Sequence, residues 1–377
     1  MSKLENKIRI LYVITGLTPG GAELHLSKII NNLSLNEFET VVCSLTKTDD
    51  ILQKIKNTTR SVYLFDARKK SHFIKIILNV RKLIKIVNPD IIHCIMFHSN
   101  IVGRIAAIRL KKIIISSIRT KLINNKIGNL FDFISQPLVH YYFVNSNALA
   151  KFISRYGIRK TKINIIENGI NFNAFIPTKS KEAIRKELGL PHHPIVSTVA
   201  NFKAQKDYST IIKAINLLKN KIEFTYLIIG EGLRFEDQGH RIKQLVKYYN
   251  LNNVLFLGYR DDIANILSIT DIWVNSSIFE GQSNSLLEAM AMKLPIITTD
   301  IEENREIVRH NKEALLVPVN SPHILAQSIK ILLEDKQLAK SIAENACLRV
   351  KKKYNQQDKI KKLKNAYYHI YSQLKPS

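Results

Sequence analysis

Strand-like runs of β-branched and apolar residues alternate with helical patterns along almost all of the 377-residue chain. This alternation is typical of βαβ units, in which parallel strands form a sheet and helices cover its faces. Seven runs occur in the first half, at residues 8–14, 40–45, 62–65, 91–94, 113–117, 141–144 and 163–166. Six more occur in the second half, at residues 195–200, 225–229, 254–257, 272–274, 296–298 and 315–317. The pattern predicts an α/β protein with two parallel sheets.

A turn-rich segment, NGINFNAFIPTKSKEAIRKELGLPHHP, separates the two series of strands. A chain of this length usually forms more than one hydrophobic core. We therefore predict two doubly wound, Rossmann-like domains, residues 1–175 and 176–350, that face each other across a cleft, followed by a basic helix at residues 351–377. In such sheets, ligands bind at the carboxyl ends of the strands.

The apolar runs are too short to span a membrane, and the N-terminal sequence MSKLENKIRILYVI passes into a strand without a signal-peptide pattern. Three cysteines are present, and none forms a Cys-x-x-Cys pair. Together these observations predict a cytoplasmic protein without disulfide bonds.

The net charge of +26 is unevenly distributed. Residues 1–175 contain 27 lysines and arginines and 10 acids, and residues 349–377 contain nine and one, so the region between them is almost neutral. A genome-wide bias towards lysine would not spare the middle of the chain. The distribution indicates an anionic partner, either a membrane surface or a nucleic acid. No aromatic-rich basic motif typical of nucleic-acid binding is visible.

The segment SHFIKIILNVRKLIKIV, residues 71–87, is predicted to form an amphipathic helix. Packing on the sheet with the basic side in solvent is the favoured interpretation, and insertion into a membrane surface is the alternative. The apolar side of this helix comprises Phe73, Ile76, Ile77, Val80, Leu83 and Ile84.

Glycines or lysines follow the first strand of each series. TGLTPGGAELHLSKII places Gly20 and Gly21 before a helix, where backbone N–H groups suit a phosphate. The spacing is neither that of a dinucleotide fingerprint nor that of a P-loop. VANFKAQKDYSTIIKA places Lys203 and Lys206 in the equivalent loop, with Asp207 as the predicted helix cap. A tight turn explains the glycines equally well, and solvent exposure explains the lysines, but together they suit a diphosphate.

The segment FEGQSNSLLEAMAMKLPIITTD, residues 279–300, carries Glu280 in a loop and Glu288 on the helix that follows. Ser283 or Asn284 is the predicted N-cap. An acid near a helix N-terminus stabilises the helix by about 0.3–1 kcal/mol, which explains Glu288 without a ligand. Glu280 lies outside the helix and is not explained in this way. Because carboxylates accept hydrogen bonds from hydroxyls and helix amides suit phosphate, this loop suits a nucleotide-sugar.

In the segment HCIMFHSNIVGRIAA, His98 follows the strand at 91–94 and begins a predicted helix that Ser99 and Asn100 cap. This position favours a site residue over a structural histidine. His93 and His98 lack the spacing of a helical metal-binding pair, and no Asp-x-Asp triplet occurs in the chain, so we expect no metal.

The spacing of Glu280 and Glu288 resembles the E-x7-E motif of retaining glycosyltransferases of family 4, which have the GT-B fold. The resemblance covers most of the chain and is greatest to the subgroup that builds bacterial surface polysaccharides. It implies that residues 1–175 bind the acceptor, that residues 176–350 bind the nucleotide-sugar donor, and that residues 351–377 pack back on the first domain. The other matching segments, in the order of the family, are TPGGAE, PDIIHCIMFHSNIVGR, VNSNALAKF, IENGIN, VANFKAQKD, IIGEGLR, FLGYRDDIANILSITDIWVNSS and ENREIV.

The resemblance implies that Glu288 holds the ribose hydroxyls of the donor, Glu280 the hydroxyls of its sugar, and Lys206 its diphosphate. His98 matches a histidine near the reacting sugar, so His98, Lys206 and Glu280 are the expected catalytic residues. The expected donor-binding residues are Gly21, Asn201, Lys203, Lys206, Glu280, Gly281, Gln282, Ser283, Asn284, Ser285 and Glu288, with Phe256–Arg260 beside the base.

The chain departs from the family pattern at three places. Ala200–Asn201 replaces a frequent Gly-Arg pair. Lys203, where some members have arginine, lacks the planar fork that binds phosphate through two hydrogen bonds. Glu302–Glu303 replaces a common Gly-Gly pair and brings negative charge near the expected sugar site, unless both side chains point to solvent.

The resemblance implies a metal-independent, cofactor-free hexosyltransferase that retains anomeric configuration. It would move a hexose or N-acetylhexosamine from a nucleotide-diphosphate sugar, with UDP favoured over GDP, to a saccharide acceptor. The expected acceptor is lipid-linked, which places the protein peripherally on an anionic membrane surface, at the cytoplasmic face of the inner membrane. No nucleic-acid partner is expected. A nucleotide-sugar epimerase on the same fold and a basic nucleic-acid-binding protein are the alternatives.

Overall fold

The computed structural model describes residues 7–55, 59, 61–67, 73–121, 126–232 and 238–374. The chain divides into two compact units. The first comprises residues up to Asn168 together with those from Gln357 onward, and the second comprises Gly169–Gln356. The division precedes the predicted boundary at residue 175 because Phe172 and Phe175 pack in the core of the second unit.

The sheet of the first unit contains, within the described residues, seven parallel strands in an order that reverses beside the first strand. The strands are β1 (Ile8–Ile14), β2 (Phe38–Ser44), β3 (Ser61–Leu64), β4 (Ile91–Ile95), β5 (Ile113–Ile118), β6 (Tyr141–Val144) and β7 (Ile163–Ile165). Their order is β3-β2-β1-β4-β5-β6-β7. Such a reversal defines a doubly wound sheet.

Helices cover both faces of this sheet. One face carries α1 (Gly21–Asn32) and the C-terminal helix α14 (Gln356–Leu374), which pack with Ile10 and Tyr12. The other face carries α2 (Phe73–Val87) and α3 (Phe97–Ala106), which pack with Leu11 and Val13. Side chains of β1 alternate between the two faces, as the pleat of a strand requires. The helices α4 (Lys126–Ser135) and α5 (Asn147–Ser154) continue the layer of α2 and α3.

The second unit has a sheet of six described parallel strands in the order β10-β9-β8-β11-β12-β13. The strands are β8 (Ile195–Val199), β9 (Thr225–Ile229), β10 (Val254–Gly258), β11 (Ile272–Val274), β12 (Ile296–Thr299) and β13 (Leu315–Val317). Its helices are α6 (Lys181–Glu187), α7 (Tyr208–Leu218), α8 (Gly239–Tyr248), α9 (Ile263–Ser268), α10 (Asn284–Ala291), α11 (Glu302–Ile307), α12 (Pro322–Glu334) and α13 (Lys336–Lys353). All thirteen predicted strands are confirmed, with ends that shift by at most two residues.

The predicted amphipathic helix at 71–87 corresponds to α2, and Ser71 and His72 lie outside the described residues. Ile76, Val80, Leu83 and Ile84 are buried against the sheet, so the favoured interpretation of a packed helix is confirmed. Phe73, which was predicted on the apolar side, is exposed, so the buried side of the helix is narrower than predicted.

The predicted single basic helix at the C-terminus is wrong. Lys351–Lys353 end α13, and the chain breaks before α14 begins at Gln356. The break has a backbone cause: Ile170 N–H donates to Tyr354 O at 2.8 Å, and Gln356 N–H donates to Ile170 O at 3.0 Å. Residues 354–356 therefore pair with another segment rather than continue the helix.

A buried hydrogen-bond network fixes α14 on the sheet of the first unit. The Tyr367 hydroxyl lies 3.0 Å from the Tyr12 hydroxyl and 2.6 Å from His93 Nδ1. His93 Nε2 lies 2.7 Å from Ser117 Oγ. Burial, with a smaller contribution from Arg119, lowers the pKa of His93 to about 3, so the ring is neutral at pH 7 and one nitrogen accepts a hydrogen bond.

We predict that Tyr367→Phe destabilises the first unit by about 1–3 kcal/mol, because it removes the shared partner of two buried polar groups. Urea unfolding measures the loss. Tyr368→Phe is the control, since the exposed Tyr368 hydroxyl donates to Glu37 Oε1 at 2.9 Å near solvent, and water replaces that bond at small cost. Equal effects of the two substitutions would contradict the network's role.

Candidate functional site

Two adjacent strands of the second unit bring the sequence-predicted residues to one edge of the sheet. β8 and β11 pair in parallel, with Ile272 opposite Val196 and Trp273 opposite Ser197. The loops that leave their carboxyl ends therefore lie side by side, although they are separated by about seventy residues in the chain. One loop carries Lys206, and the other carries Glu280.

The two loops are joined by hydrogen bonds that involve the backbone. Ser276 Oγ donates to Lys206 O at 2.8 Å and contacts Asp207 O at 2.9 Å. Ile278 N–H donates to Gln205 O at 2.8 Å. Asp207 has a left-handed backbone (φ 43°) and caps α7 by accepting from Thr210 N–H at 3.3 Å, as predicted. These bonds fix the backbone from which the Lys206 side chain extends.

Lys206 and Glu280 form a buried ion pair. Lys206 Nζ donates to Glu280 Oε1 at 2.5 Å, and Ser277 Oγ donates to the same oxygen at 2.7 Å. The two charged side chains are only 13% and 8% exposed. Charges that are removed from water need such partners, and here each charge has one. Two residues that the sequence assigned to different parts of a donor thus contact each other directly.

The loop that carries Glu280 leads into α10, whose N-cap is Ser283. Ser283 Oγ accepts from Leu286 N–H at 3.4 Å, which confirms one of the two predicted caps. Gly281, Gln282 and Ser283 are buried, and Asn284 and Ser285 are half-buried.

Glu288 is half-buried on α10 and is the fifth residue of that helix. It lies beyond the first turn, where the stabilising effect of the helix dipole on an acid falls off. The helix N-terminus therefore does not explain Glu288, in contrast to the sequence-based interpretation.

A second set of polar residues, which sequence reasoning missed, supports the loop from the other side. Thr299 Oγ1 donates to Ser277 O at 2.5 Å, and Ser277 N–H donates to Asn275 Oδ1 at 2.7 Å. Asn304 Nδ2 donates to Thr298 Oγ1 at 2.9 Å and to Thr299 O at 3.0 Å. The signal in the sequence was the polar run Asn275–Ser277, directly after a buried strand.

The residues after β8 adjoin a required glycine. Gly230, at the end of β9, has φ 141°, and a Cβ there would lie 2.1 Å from Ala200 O. Only glycine fits this approach. Gly230 belongs to the motif IIGEGLR, whose Leu233 and Arg234 lie outside the described residues. Asn201 is half-buried beside this contact.

Lys203 lies in a different environment from Lys206. It lines a cavity of about 480 Å³ between α7 and α8, together with Lys213 and Arg241. Neither Lys206 nor Glu280 is among the residues that line this cavity. Lys203 therefore borders a cavity that Lys206 and Glu280 do not line, although the sequence grouped the two lysines.

The Glu302–Glu303 pair is divided between solvent and interior. Glu302 is exposed, whereas Glu303 is buried in α11. The alternative that both side chains point to solvent is therefore wrong for Glu303.

The remaining candidates belong to the first unit. Gly21 is exposed at the first position of α1, after the N-cap Gly20. His98 is the second residue of α3, and its ring packs edge-to-face on Phe97 at 5.4 Å. The surrounding protein lowers the pKa of His98 by desolvation, although part of the side chain reaches solvent. The imidazole is therefore neutral at pH 7.

The predicted caps of α3 are wrong. Met96 is the N-cap, with φ 75°. Ser99 and Asn100 lie inside the helix as donors: Ser99 Oγ donates to Met96 O at 3.0 Å, and Asn100 Nδ2 donates to Ser117 O at 3.2 Å. A capping side chain accepts from backbone N–H groups instead.

Within the residues that the structure describes, no group of three or more His, Cys, Asp or Glu side chains could hold a metal ion. Among the helices described, none is long and apolar enough to cross a membrane. The three cysteines are free thiols, and Cys43 and Cys94 are buried.

We predict that Lys206→Met destabilises the second unit by about 3–5 kcal/mol, because it leaves Glu280 buried without its cation. The double variant Lys206→Met/Glu280→Gln should recover part of this loss. Urea unfolding of both single variants and the double variant gives the coupling free energy.

Lys293→Met is the matched control for this experiment. Lys293 pairs with Glu344 at 3.0 Å, but the two side chains are 53% and 43% exposed, so the expected loss is below about 1 kcal/mol. Additive effects at Lys206 and Glu280 would contradict the ion pair.

Each half of the chain matches a family model of glycosyltransferases. The family model "Glycosyltransferase Family 4" matches residues 19–174, and "Glycosyl transferases group 1" matches residues 180–349. The N,N'-diacetylbacillosaminyl-diphospho-undecaprenol alpha-1,3-N-acetylgalactosaminyltransferase of Campylobacter jejuni is 26% identical over 88% of this chain and 92% of its own length. The UDP-Gal:alpha-D-GlcNAc-diphosphoundecaprenol alpha-1,3-galactosyltransferase of Escherichia coli is 25% identical over 78% of this chain and 79% of its own.

Solved structures share the architecture. Anabaena Alr3699/HepE in complex with UDP-glucose has a TM-score of 0.87 at 20% identity, covering 96% of this chain and 100% of that one. A glycosyltransferase from Rickettsia africae has a TM-score of 0.81 at 23% identity, covering 99% and 100%. The two doubly wound units thus have the GT-B fold, and the two family models together cover most of the sequence. The chain belongs to glycosyltransferase family 4.

Proposed function

We propose that this glycosyltransferase transfers a hexose or N-acetylhexosamine from a UDP-sugar to a lipid-linked saccharide acceptor during surface-polysaccharide synthesis, with retention of anomeric configuration. The observation that carries the proposal is the Lys206–Glu280 ion pair at the strand edge, next to the N-terminus of α10. Relatives named for diphospho-undecaprenol substrates and a UDP-Gal donor support the substrate classes.

The reaction requires stabilisation of the negative charge that develops on the nucleotide leaving group. Lys206 supplies a cation, and Ser276 fixes the Lys206 backbone by a hydrogen bond to its carbonyl oxygen. The first amides of α10 supply oriented N–H groups. Such preorganised groups stabilise a transition state without reorganisation. On donor binding, the pyrophosphate would share the Lys206 ammonium with Glu280, and Ser277 would keep the Glu280 carboxylate in place.

Recognition of the sugar and the ribose is assigned to the two glutamates. Glu280 would accept hydrogen bonds from hydroxyls of the donor sugar, and the half-buried Glu288 would accept them from the ribose. The backbone of Gly281–Asn284 would lie beside both. Asn201 and Lys203 complete the donor set as weaker candidates, since Lys203 lines the cavity between α7 and α8.

The first unit is proposed to bind the acceptor. The neutral His98 at the start of α3 would hydrogen-bond a sugar hydroxyl, and Gly21 would let the backbone of α1 approach the donor phosphates. No side chain is assigned as a nucleophile. The donor phosphate itself is the proposed base, in an oxocarbenium-like transition state.

The proposal includes a peripheral position on the cytoplasmic face of the membrane. Residues 1–175 carry a net charge of +17, with 27 basic and 10 acidic residues. An anionic surface attracts such a protein, and a lipid-linked acceptor would be presented there. No nucleic acid is proposed as a partner.

Substitution of the donor-binding residues tests the chemistry. We expect Lys206→Ala to lower kcat about 100- to 1000-fold, because it removes a preorganised charge from the transition state. Glu288→Ala should raise KM for the donor more than it lowers kcat. Release of UDP in the presence of acceptor measures both effects.

Glu344→Ala is the control for Glu288→Ala, because it removes a glutamate from an α-helix of the same unit, far along the chain. Unchanged donor turnover by properly folded Lys206→Ala and Glu288→Ala proteins would overturn the assignment. Turnover of the nucleotide-sugar without UDP release would indicate an epimerase.

Metal independence is a separate prediction. Lys206 and the α10 amides carry the charge stabilisation in this proposal, so transferase activity should persist in EDTA. A loss of activity in EDTA that Mn²⁺ restores would contradict it. The control is a UDP-binding measurement in EDTA, which separates a metal needed for the chemistry from one needed for nucleotide affinity.

A further inference from the structure

The helix α4 presents apolar side chains to solvent, the reverse of an ordinary surface helix. Leu130, Phe131, Phe133 and Ile134 are 56%, 48%, 60% and 64% exposed. An isolated exposed leucine needs no explanation, but four large apolar side chains on one ten-residue helix form a patch that marks an interaction site.

The polar side of α4 faces the protein. Arg104 of α3 is fully buried, and its Nη1 donates to Asp132 Oδ1 at 2.7 Å and to Ser135 Oγ at 3.1 Å. Arg104 Nε donates to Ser116 Oγ at 2.9 Å. An ion pair between a buried arginine and a partly buried aspartate thus fixes the rotation of α4 about its axis, which keeps its apolar residues on the outside.

Exposed apolar groups continue beside α4. Phe133 of α4 and Tyr156, just after α5, line one small cavity, and Tyr156 is 53% exposed. The connections that carry α2, α3, α4 and α5 all run in the same direction along the sheet. Right-handed crossovers therefore place these helices on one face of the sheet. On the same face, Ile74 and Leu78 of α2 are 71% and 52% exposed.

This part of the chain is strongly basic. Residues 73–162 contain sixteen lysines and arginines and two acids, Asp90 and Asp132, a net charge of +14. Both acids have partners: Asp90 Oδ2 accepts from Arg9 N–H at 2.8 Å, and Asp132 pairs with Arg104. Exposed cations on or next to α2, α3 and α5 include Lys75, Lys82, Lys85, Arg109, Lys111, Lys151 and Arg155.

We infer that the apolar patch of α4, defined by Leu130, Phe131, Phe133 and Ile134, inserts into the interface of an anionic bilayer while the cations beside it contact lipid headgroups. This inference rests on the proposed function, since it specifies which surface meets the membrane that carries the acceptor. Apolar residues with flanking lysines and arginines are the pattern of interfacial helices.

The length and charge of the surface decide between occupants. A helix of ten residues is about 15 Å long, too short to cross a hydrocarbon core of about 30 Å, so α4 would lie in the plane of the interface. A second copy of this chain would bring one positively charged face against another. An anionic bilayer instead offers apolar depth and negative charge together.

Vesicle binding tests the inference. The full-length protein is sedimented with vesicles of phosphatidylcholine and phosphatidylglycerol, and with vesicles of phosphatidylcholine alone. Phe131→Gln/Ile134→Gln should lower the partition coefficient about tenfold or more, because two apolar side chains no longer leave water. Lys151→Gln/Arg155→Gln should lower it about fivefold for each charge removed, on the anionic vesicles only.

The matched control is Ile324→Gln/Leu348→Gln in the second unit. These side chains are 44% and 68% exposed on α12 and α13. The control should bind vesicles like the parent protein. All these variants lie outside the proposed donor site, so calorimetry should show unchanged affinity for UDP.

Insertion depth is measured with a fluorescent reporter. Phe131→Trp adds an indole to α4, and brominated lipids should quench it. Trp273 is fully buried in the second unit and contributes a constant background. Leu348→Trp is the control and should not be quenched.

The inference is overturned if the α4 variant binds anionic vesicles as well as the parent, or if Phe131→Trp is not quenched. It is also overturned if the α4 substitutions abolish a dimer seen by sedimentation, or the capture of an acidic protein, without changing vesicle binding. Absence of UDP binding by the parent would count against the proposed function, whereas the vesicle results would still decide the inference about α4.

Discussion

The pairing of β8 with β11 is the constraint on which the proposed donor site depends. Their parallel register brings Lys206 and Glu280, 74 residues apart, to the same edge. Removing both charges from water is costly, and the structure meets the cost with the Ser277 hydroxyl and with loops joined through Ser276 and Ile278. The result is a cation held in a fixed position, which is the condition for electrostatic catalysis in the proposed function.

The strands were predictable because parallel strands are buried on both faces and read as nearly continuous apolar runs. The helix break at Tyr354–Asn355 was not, because its cause is the backbone of Ile170, remote in sequence. The prediction of Ser99 and Asn100 as caps of α3 failed for a different reason. Ser99 and Asn100 have the composition of caps, but their side chains donate to carbonyl groups, and composition does not distinguish donors from acceptors.

The residues of the candidate site and the loops that carry them could be proposed from the sequence, because Glu280 and Glu288 have the spacing of the E-x7-E motif. The contact between Lys206 and Glu280 was not, since it depends on how far each side chain reaches across two loops. The two lysines differ in backbone position: Lys203 precedes the tight turn Ala204–Lys206, and Lys206 ends it before the left-handed Asp207. From the sequence alone, both lysines are cations of the same loop and cannot be distinguished.

The two units use ion pairs with a buried or nearly buried cation for different structural roles. In the second unit the Lys206–Glu280 pair joins two loops at the carboxyl edge of the sheet. In the first unit the Arg104–Asp132 pair holds a helix by its polar side. Without that pair, a rotation of α4 that turns Phe131 and Ile134 towards the core would lower the free energy, since ordinary surface helices bury their apolar side. The free-energy cost of burying Arg104 is therefore offset by a pair that keeps the apolar side of α4 exposed. In our inference, contact with a bilayer stabilises that apolar side.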